Sequence, residues 1–241
     1  MRGRQFGTLL FVSEPQMGIT FRNTIAFRTM RKIGTAILAP VQFSLSTGHF
    51  RSSIASKALD ARGKPLPWYT YPAIDFLSEV DFSGQSVLEF GAGQSTLWWS
   101  ERAARVFSVE QDARWFEAVL KAVKSKANVE VRLTQESLEF AATPIGRVFD
   151  VIVIDGGDRF LCAQSSLKML QPGGVVVLDN SEGFWGAEGS YPIIDLFERE
   201  GFMRVDFYGF APGVPNRHCT SLFFRDGARI FRYLRPPMRR A

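Results

Sequence analysis

The stretch VLEFGAGQSTLWWSERAARVFSVE, residues 87–110, decides the fold. It opens with an apolar strand that reaches Glu89, turns at Gly91 and Gly93, and continues through a helical segment into a second apolar strand that ends at Glu110. This order of elements brings bare backbone and a helix N-terminus up to a ligand, and an acid at the end of the second strand suits a ribose diol. The stretch therefore predicts a site for an adenosine-containing cofactor.

The rest of the chain continues the alternation of strands and helices. Apolar runs predict strands at 86–90, 105–110, 128–133, 149–155, 174–179, 203–209 and 218–225. Helical patterns occupy 72–80, 95–103, 112–126, 160–170 and 190–200. The run from Val151 to Ile154 is apolar on both faces, which is typical of a central parallel strand covered by helices on both sides. We expect an α/β, doubly wound, Rossmann-like sheet.

Charge divides the chain into three parts. The net charge of +5 arises from residues 1–65 at +8, residues 225–241 at +5 and an acidic middle at −8. We predict a basic N-terminal extension and linker over 1–67, a catalytic domain over 68–225 and a basic tail over 226–241. Solvated ends explain this charge most simply, but attraction to anionic lipid, nucleic acid or an acidic partner stays open.

The amino-acid composition limits the class of protein to which the chain can belong. Hydrophobic and charged contents of 46% and 22% are those of a globular protein. Cys162 and Cys219 lie far apart, which indicates reduced thiols and a cytoplasmic location. The weakly polar stretch 33–45, which follows Arg31 and Lys32, is too short to span a bilayer but offers weak support for a membrane-surface element. Met30 is an alternative start that would leave 1–29 as an extension.

Three features of the sequence narrow the choice of cofactor. Glu89 precedes the glycine turn where dehydrogenase-type sites usually have an apolar residue, and Ser95 and Thr96 stand where a dinucleotide fingerprint needs its last glycine. Glu110 follows Gly91 by 19 residues, close to the spacing of a ribose-binding acid. A dinucleotide-dependent oxidoreductase is therefore the second choice, and a non-catalytic cofactor-binding scaffold is the third.

On these residues the chain resembles the class I S-adenosylmethionine-dependent methyltransferases over roughly residues 68–225. The resemblance implies a seven-stranded sheet whose last strand is antiparallel. It implies that Gly91 and Gly93 approach the methionine part of the cofactor, that Glu89 lies near its ammonium and that Glu110 holds both ribose hydroxyls. The full set of cofactor-binding residues that it implies is Glu89, Gly91, Ala92, Gly93, Ser95, Glu110, Gln111, Glu136, Ser137 and Asp155, with adenine beside Gln111 and the loop 134–137.

The acceptor side of the site is predicted at the ends of the fourth and fifth strands, where Asp155 and the pair Asp179–Asn180 are the candidate catalytic residues. The three also resemble the magnesium ligands of catechol-type O-methyltransferases. The lysine that such enzymes place shortly after the first aspartate is absent, since Gly156–Arg159 stand there. Strand-end acids that line a substrate pocket are the simpler interpretation, so no metal ligand is assigned and magnesium stays an alternative.

The remaining candidates are a base and a lid. His218 could reach the pocket as a general base, although a lone histidine is more often structural. Trp68, Tyr69 and Tyr71, together with Phe184, Trp185 and Tyr191, suggest a hydrophobic lid, and the loop 211–216 is a further candidate substrate contact. We expect a methyltransferase that acts on an oxygen or nitrogen of a small molecule, with nucleic acid disfavoured because no base-methylating motif is present.

Overall fold

The computed structural model describes residues 25–144, 146–183, 190–232 and 234–235. The chain forms two compact units, Met1–Phe43 and Ser44–Ala241. Its helices are α1 (Ile25–Ser46), α2 (His49–Ala55), α3 (Tyr71–Ser78), α4 (Gln94–Ser100), α5 (Ala113–Ala122), α6 (Ser137–Ala142), α7 (Arg159–Met169) and α8 (Tyr191–Arg199), with a 3₁₀ turn at Arg229–Phe231. Its strands are β1 (Ser86–Phe90), β2 (Arg105–Glu110), β3 (Val129–Leu133), β4 (Phe149–Ile154), β5 (Leu170–Leu178), β6 (Met203–Phe210) and β7 (Arg217–Phe224).

The seven strands form one sheet in the order β3-β2-β1-β4-β5-β7-β6. The first five strands pair in parallel, and β7 runs antiparallel to both β5 and β6. The predicted doubly wound sheet with an antiparallel last strand is therefore confirmed. Because β1 leads to β2 on one side and β4 pairs on its other side, the strand order reverses at β1. Such a reversal opens a crevice at the strands' carboxyl ends.

Side chains of the central strands alternate between two cores, as the apolar run 151–154 predicted. Val151 and Val153 join the core that contains Trp98 and Trp99 of α4 together with α3. Ile152 and Ile154 join the core on the opposite face, which is built with α6, α7 and α8. All four side chains of the run are fully buried. Double-sided burial holds β4 rigid, so the residues at its carboxyl end have a fixed position.

The N-terminal part of the chain departs from the prediction. Residues 25–46 form a 22-residue helix, although the sequence showed no strong period before residue 50. His49 begins α2, and within the expected extension and linker a bridge joins Leu59 to Pro65. Strand β5 begins at Leu170, four residues before the predicted start, and its pairing with β4 includes a shift of register. Among the described helices, none is long and apolar enough to cross a membrane.

Candidate functional site

A cavity of about 520 Å³ opens where the strand order reverses, at the carboxyl ends of β1, β4 and β5. This volume is in the range of small-molecule sites. Its wall contains the predicted residues Gly91, Ala92, Gly93, Ser95, Glu110, Asp155, Asp179 and Asn180, and also Trp68, Gln94, Trp115, Gly156, Gly157, Ala211, Val214 and His218. The fold thus gathers residues from the ends of four strands. Two of these residues, Gly91 and Asn180, lie 89 positions apart in the sequence.

Gly91 gives the floor of the cavity its shape. Its φ of +103° is a conformation that side chains rarely adopt, and a Cβ there would lie 2.8 Å from the backbone nitrogen of Gly156. The turn after β1 and the turn after β4 therefore touch through their backbones. Any larger residue at position 91 would force the two turns apart.

The next turn residues start α4. The backbone N–H of Gly93 donates to Oγ1 of Thr96 over 3.0 Å. Thr96 thus occupies the place of a third glycine and uses its hydroxyl to hold the start of the helix. This contact accounts for the departure from a dinucleotide fingerprint that the sequence showed.

Glu110 fixes the turn as well as facing the cavity. Its Oε2 accepts from the N–H of Ala92 at 2.9 Å, and its Oε1 accepts from the N–H groups of Gln111 and Asp112 at 2.8 and 2.9 Å. A carboxylate has about four acceptor sites, so these three bonds orient Glu110 and leave it capacity for a further donor. A ligand hydroxyl at the cavity wall is such a donor.

Glu89 lies beneath the turn and is fully buried, outside the cavity wall. Its Oε2 accepts from Ser108 Oγ at 2.7 Å, while its Oε1 has no hydrogen-bond partner among the described residues. Burial raises the pKa of Glu89 to about 7, against the opposing effect of the hydroxyls of Ser95, Thr96 and Ser108. An unpartnered buried oxygen of this kind is costly unless a donor reaches it.

An arginine lies among the acceptor-side residues. Nη2 of Arg159 lies 3.4 Å from Asp155 Oδ1 and 3.4 Å from Asn180 Oδ1, and its Nη1 donates to the backbone oxygen of Asp179. The guanidinium thus contacts two of the three side chains whose oxygens a divalent ion would need at this place. The magnesium arrangement considered for Asp155, Asp179 and Asn180 does not fit these contacts. Among the described residues, no group of three or more His, Cys, Asp or Glu side chains could hold a metal ion.

The two aspartates of this cluster resist ionisation. Burial, opposed by Arg159 and reinforced by Glu110, raises the pKa of Asp155 to about 6. The pKa of Asp179 is also raised, first by burial and then by the charge of Asp155, although Thr220 Oγ1 donates to Asp179 Oδ1 at 2.7 Å. A cation that approaches this wall would favour the ionised forms of both groups.

A histidine and a glutamate form a pair at the same wall. His218 Nδ1 lies 2.9 Å from Glu182 Oε1 and 3.3 Å from Asn180 Nδ2. A carboxylate oxygen only accepts, so Nδ1 carries the proton and donates to Glu182. In the neutral tautomer with Nδ1–H, Nε2 is the ring atom that carries the lone pair. Glu182 Oε2 also accepts from the N–H of Cys219 at 2.7 Å, which fixes the pair to β7.

Two tryptophans form the aromatic side of the cavity. The rings of Trp68 and Trp115 stack with centroids 6.4 Å apart and planes at 25°. Trp68 Nε1 donates to the backbone oxygen of Pro212 at 3.1 Å, and Trp115 Nε1 donates to that of Ala92. Both rings are therefore held by the loops that they contact, and they line one side of the cavity.

Comparisons with known proteins show that this chain is similar in fold to several solved structures. The sequence matches no protein-family model, and a search of curated proteins gave no significant match. Among solved structures, the chain is similar to a precorrin-6y C5,15-methyltransferase from Geobacter metallireducens, with 16% identity, coverage of 62% of this chain and 85% of that one, and a TM-score of 0.49.

Two further solved structures are similar to a comparable degree. Fibrillarin from Aeropyrum pernix, with natively bound S-adenosyl-L-methionine, is 16% identical over 63% of this chain and 72% of that one, at a TM-score of 0.49. The N-methyltransferase NodS from Bradyrhizobium japonicum, in complex with S-adenosyl-L-homocysteine, is 17% identical over 62% and 84%, at 0.46. The chain spans about half of a Streptococcus mutans protein provisionally named a SAM-dependent methyltransferase, with 47% of that chain covered.

Several predicted residues lie away from the cavity wall. Besides Glu89, these are Gln111, Glu136 and Ser137, which were expected near adenine. Gln111 Nε2 instead donates to Asp158 Oδ2 at 3.2 Å, and Glu136 is the exposed N-cap of α6, which begins at Ser137, the last residue of the expected loop. Of the suggested lid, Trp68 lines the cavity, Tyr69 and Tyr71 are buried in the core, Tyr191 is exposed, and Phe184 and Trp185 lie outside the described residues.

Three candidate functional residues were not identified from the sequence. Trp115, Arg159 and Glu182 each contact the cavity or a residue of its wall, but none belongs to a recognisable motif. For Trp115 a signal was available, because it stands three residues after the helix-capping Asp112 and therefore in the first turn after Glu110. Arg159 and Glu182 gave no signal, because Asn180 and His218, which they contact, lie 21 and 36 positions further along the chain.

Proposed function

We propose that the protein is an S-adenosylmethionine-dependent methyltransferase that acts on an oxygen or nitrogen of a small molecule. The observation that carries this proposal is that Glu110 and the turn Gly91–Gly93 line one cavity at the reversal of the strand order. A carboxylate with spare acceptor capacity beside exposed backbone is suited to a nucleoside ligand.

The residues present fit such a cofactor. Glu110 would accept a ribose hydroxyl, and the open backbone at Gly91 and Gly93 would lie against the methionine part. A water molecule would bridge the unpartnered Oε1 of Glu89 and the ammonium group of the cofactor. When bound, S-adenosylmethionine supplies a sulfonium methyl group to a nucleophile. The wall near Asp155 and Asp179 is acidic, which favours a cationic ligand.

The acceptor would bind on the side of Asp155, Asp179 and Asn180. His218 lines this side, and its Nε2 carries the lone pair once Nδ1–H donates to Glu182. His218 is our candidate for the base that removes a proton from a hydroxyl or an ammonium, a role in which its Nε2, buried in this structure, must become reachable for the acceptor. Besides this proton transfer, the protein has only to hold the acceptor in line with the methyl group, which is the larger part of such catalysis.

We favour a small molecule as the acceptor over nucleic acid. Three carboxyl groups, those of Glu110, Asp155 and Asp179, line the cavity. The described residues of this wall include no Lys or Arg, whereas nucleic-acid sites are lined by these basic side chains. We place the protein in the cytoplasm, in keeping with the free, buried thiols of Cys162 and Cys219.

The experiment that tests the proposal is titration calorimetry with S-adenosylmethionine. We expect Glu110→Ala to weaken binding by about 1–3 kcal/mol, or about 5–150-fold, because charge-assisted hydrogen bonds are lost. Glu117→Ala, an exposed acid on α5, is the matched control and should bind as the wild type does. A thermal melt of each variant shows whether the turn is intact.

Three outcomes would contradict the proposal. Unchanged affinity in Glu110→Ala would remove the ribose assignment, and tighter binding of NAD(H) than of S-adenosylmethionine would favour an oxidoreductase. A protein that binds the cofactor but transfers no labelled methyl group to a broad panel of small hydroxyl and amine compounds would instead support the non-catalytic alternative.

A further inference from the structure

Helix α1 is amphipathic along the part of its length whose side chains the structure describes. At about 100° per residue, Met30, Ile33, Ile37, Leu38 and Val41 fall within one arc of about 140°. We call these five side chains the α1 apolar face. Each of them is more than half exposed, and Met30 is 72% exposed. Exposed apolar side chains that share one face of a helix mark an interaction surface.

The other side of α1 is basic and polar. Arg31, Lys32, Thr35 and Gln42 fall in the opposite arc, and all four are exposed. Arg31 lies next to the border of the apolar face, about 20° from Leu38 on the helix circumference. Long basic side chains at such a border can extend their charged ends away from an apolar layer while their stems stay in contact with it.

The surrounding sequence carries the same sign of charge. Residues 15–59 contain six Lys or Arg and no Asp or Glu. An anionic surface would therefore meet attraction and no acidic side chain of this segment. Apolar contact together with basic charge is the combination by which helices lie in the interface of anionic membranes.

We propose that α1 binds to the surface of anionic lipid membranes, with the α1 apolar face in the boundary between headgroups and acyl chains. Arg31, at the border of the apolar face, then lies at the level of the lipid phosphates, and Lys32 on the opposite side adds to the long-range attraction. A protein groove would accept the apolar face equally well, but it would not account for the complete lack of acids over 45 residues, 15–59. The charge pattern favours lipid.

Co-sedimentation of the full-length protein with extruded vesicles tests this proposal. We expect binding to phosphatidylcholine vesicles that contain about 30 mol% phosphatidylglycerol, and little binding to phosphatidylcholine alone. Ile37→Glu should lower the bound fraction at least about 10-fold, because it places a charge in the apolar layer. Leu138→Glu, a matched change of an exposed apolar residue on α6, should bind as the wild type does.

A labelling experiment separates insertion from a loss of folding. An environment-sensitive dye on Ile37→Cys should shift to the blue when the anionic vesicles are added, and the same dye on Thr35→Cys, in the polar arc, should shift much less. The two native cysteines, Cys162 and Cys219, are buried and should react slowly.

Three results would overturn the proposal. One is wild-type protein that stays in the supernatant with both kinds of vesicle, and another is equal dye shifts at positions 35 and 37. The third is self-association without vesicles that Ile37→Glu abolishes in sedimentation velocity, since a second copy of the chain would then cover the α1 apolar face.

Discussion

At the scale of single residues, the site is defined by carboxyl groups in unusual surroundings. Glu89 is fully buried, with one oxygen held by Ser108 and the other without a partner among the described residues. Its pKa is raised to about 7, so the folded protein binds the proton of this group more tightly than the unfolded chain does. The stability that results is present at low pH and is lost as the pH rises from about 4.5 to about 7.

We therefore predict that Glu89→Gln flattens the fall of stability with pH in this window. A difference of about 2.5 pKa units corresponds to at most about 3 kcal/mol between pH 4.5 and pH 8. Urea unfolding at pH 5 and pH 8 measures the effect, with Glu117→Gln as the exposed control. If the free energies of unfolding of the wild type and of Glu89→Gln fall equally between pH 5 and pH 8, Glu89 titrates as an ordinary acid.

Arg159 carries the second prediction at this scale. Its guanidinium contacts Asp155 and Asn180, so it occupies the space and supplies the charge of a divalent ion. We expect the wild type to bind no Mn²⁺ at millimolar concentration and Arg159→Met to gain binding, because the change removes the repulsion and leaves the oxygens open. Electron paramagnetic resonance of free Mn²⁺ measures both. Tight binding of Mn²⁺ by the wild type that Asp155→Asn abolishes would restore the metal hypothesis.

At the scale of elements, α5 connects the part of the cavity wall proposed for the cofactor to the sheet. Asp112 Oδ1 accepts from the N–H of Trp115 at 2.7 Å and so caps this helix. The same Trp115 stacks on Trp68 and lines the cavity. The cap therefore holds an aromatic wall as well as a helix end.

We predict that Asp112→Ala lowers the free energy of unfolding by about 0.5–2 kcal/mol, because an orphan N–H loses its acceptor. Asp112→Asn keeps a cap of similar quality and should cost much less. Denaturant unfolding gives the stabilities, and quenching of tryptophan fluorescence by acrylamide reports the exposure of Trp115. If the Ala and Asn variants lose equal stability, the charge near the helix dipole matters rather than the hydrogen bond.

At the scale of the whole molecule, the chain consists of two compact units, Met1–Phe43 and Ser44–Ala241. The second unit contains the complete sheet and every residue of the cavity wall. It also contains α2, whose His49 Nδ1 accepts from the N–H of Gly213 at 3.3 Å and so supports the loop of Ala211 and Val214. The elements that shape the site thus belong to one unit.

We predict that a chain of residues 44–241 folds cooperatively and binds S-adenosylmethionine within about twofold of the full-length affinity, since a compact unit with its own core can fold alone. Thermal unfolding and calorimetry check both statements. The same chain should fail to bind anionic vesicles, because the α1 apolar face is removed. A truncated protein that folds but loses the cofactor would show that residues 1–43 contribute to the site.

Much of the second unit follows from local sequence. The seven strands were predicted to within four residues at their starts and one at their ends, because apolar runs and glycine turns are local signals. Helix α1 was missed because its apolar residues also include Ala, Pro and Gly, which weaken the periodic signal. The short helices α2 and α6 were missed because one or two turns leave almost no period to detect.

The sequence by itself determined the glycine turn, the acid at Glu110 and the order of strands and helices, since each depends on neighbours within about 20 residues. Only the tertiary structure decided that Arg159 contacts Asn180, that Trp68 stacks on Trp115 and that His218 pairs with Glu182. These contacts join residues 21 to 47 positions apart, and they exist because strands that are distant in the chain end at the same edge of the sheet. Local patterns set the elements, whereas packing of the sheet and its helices sets which side chains meet.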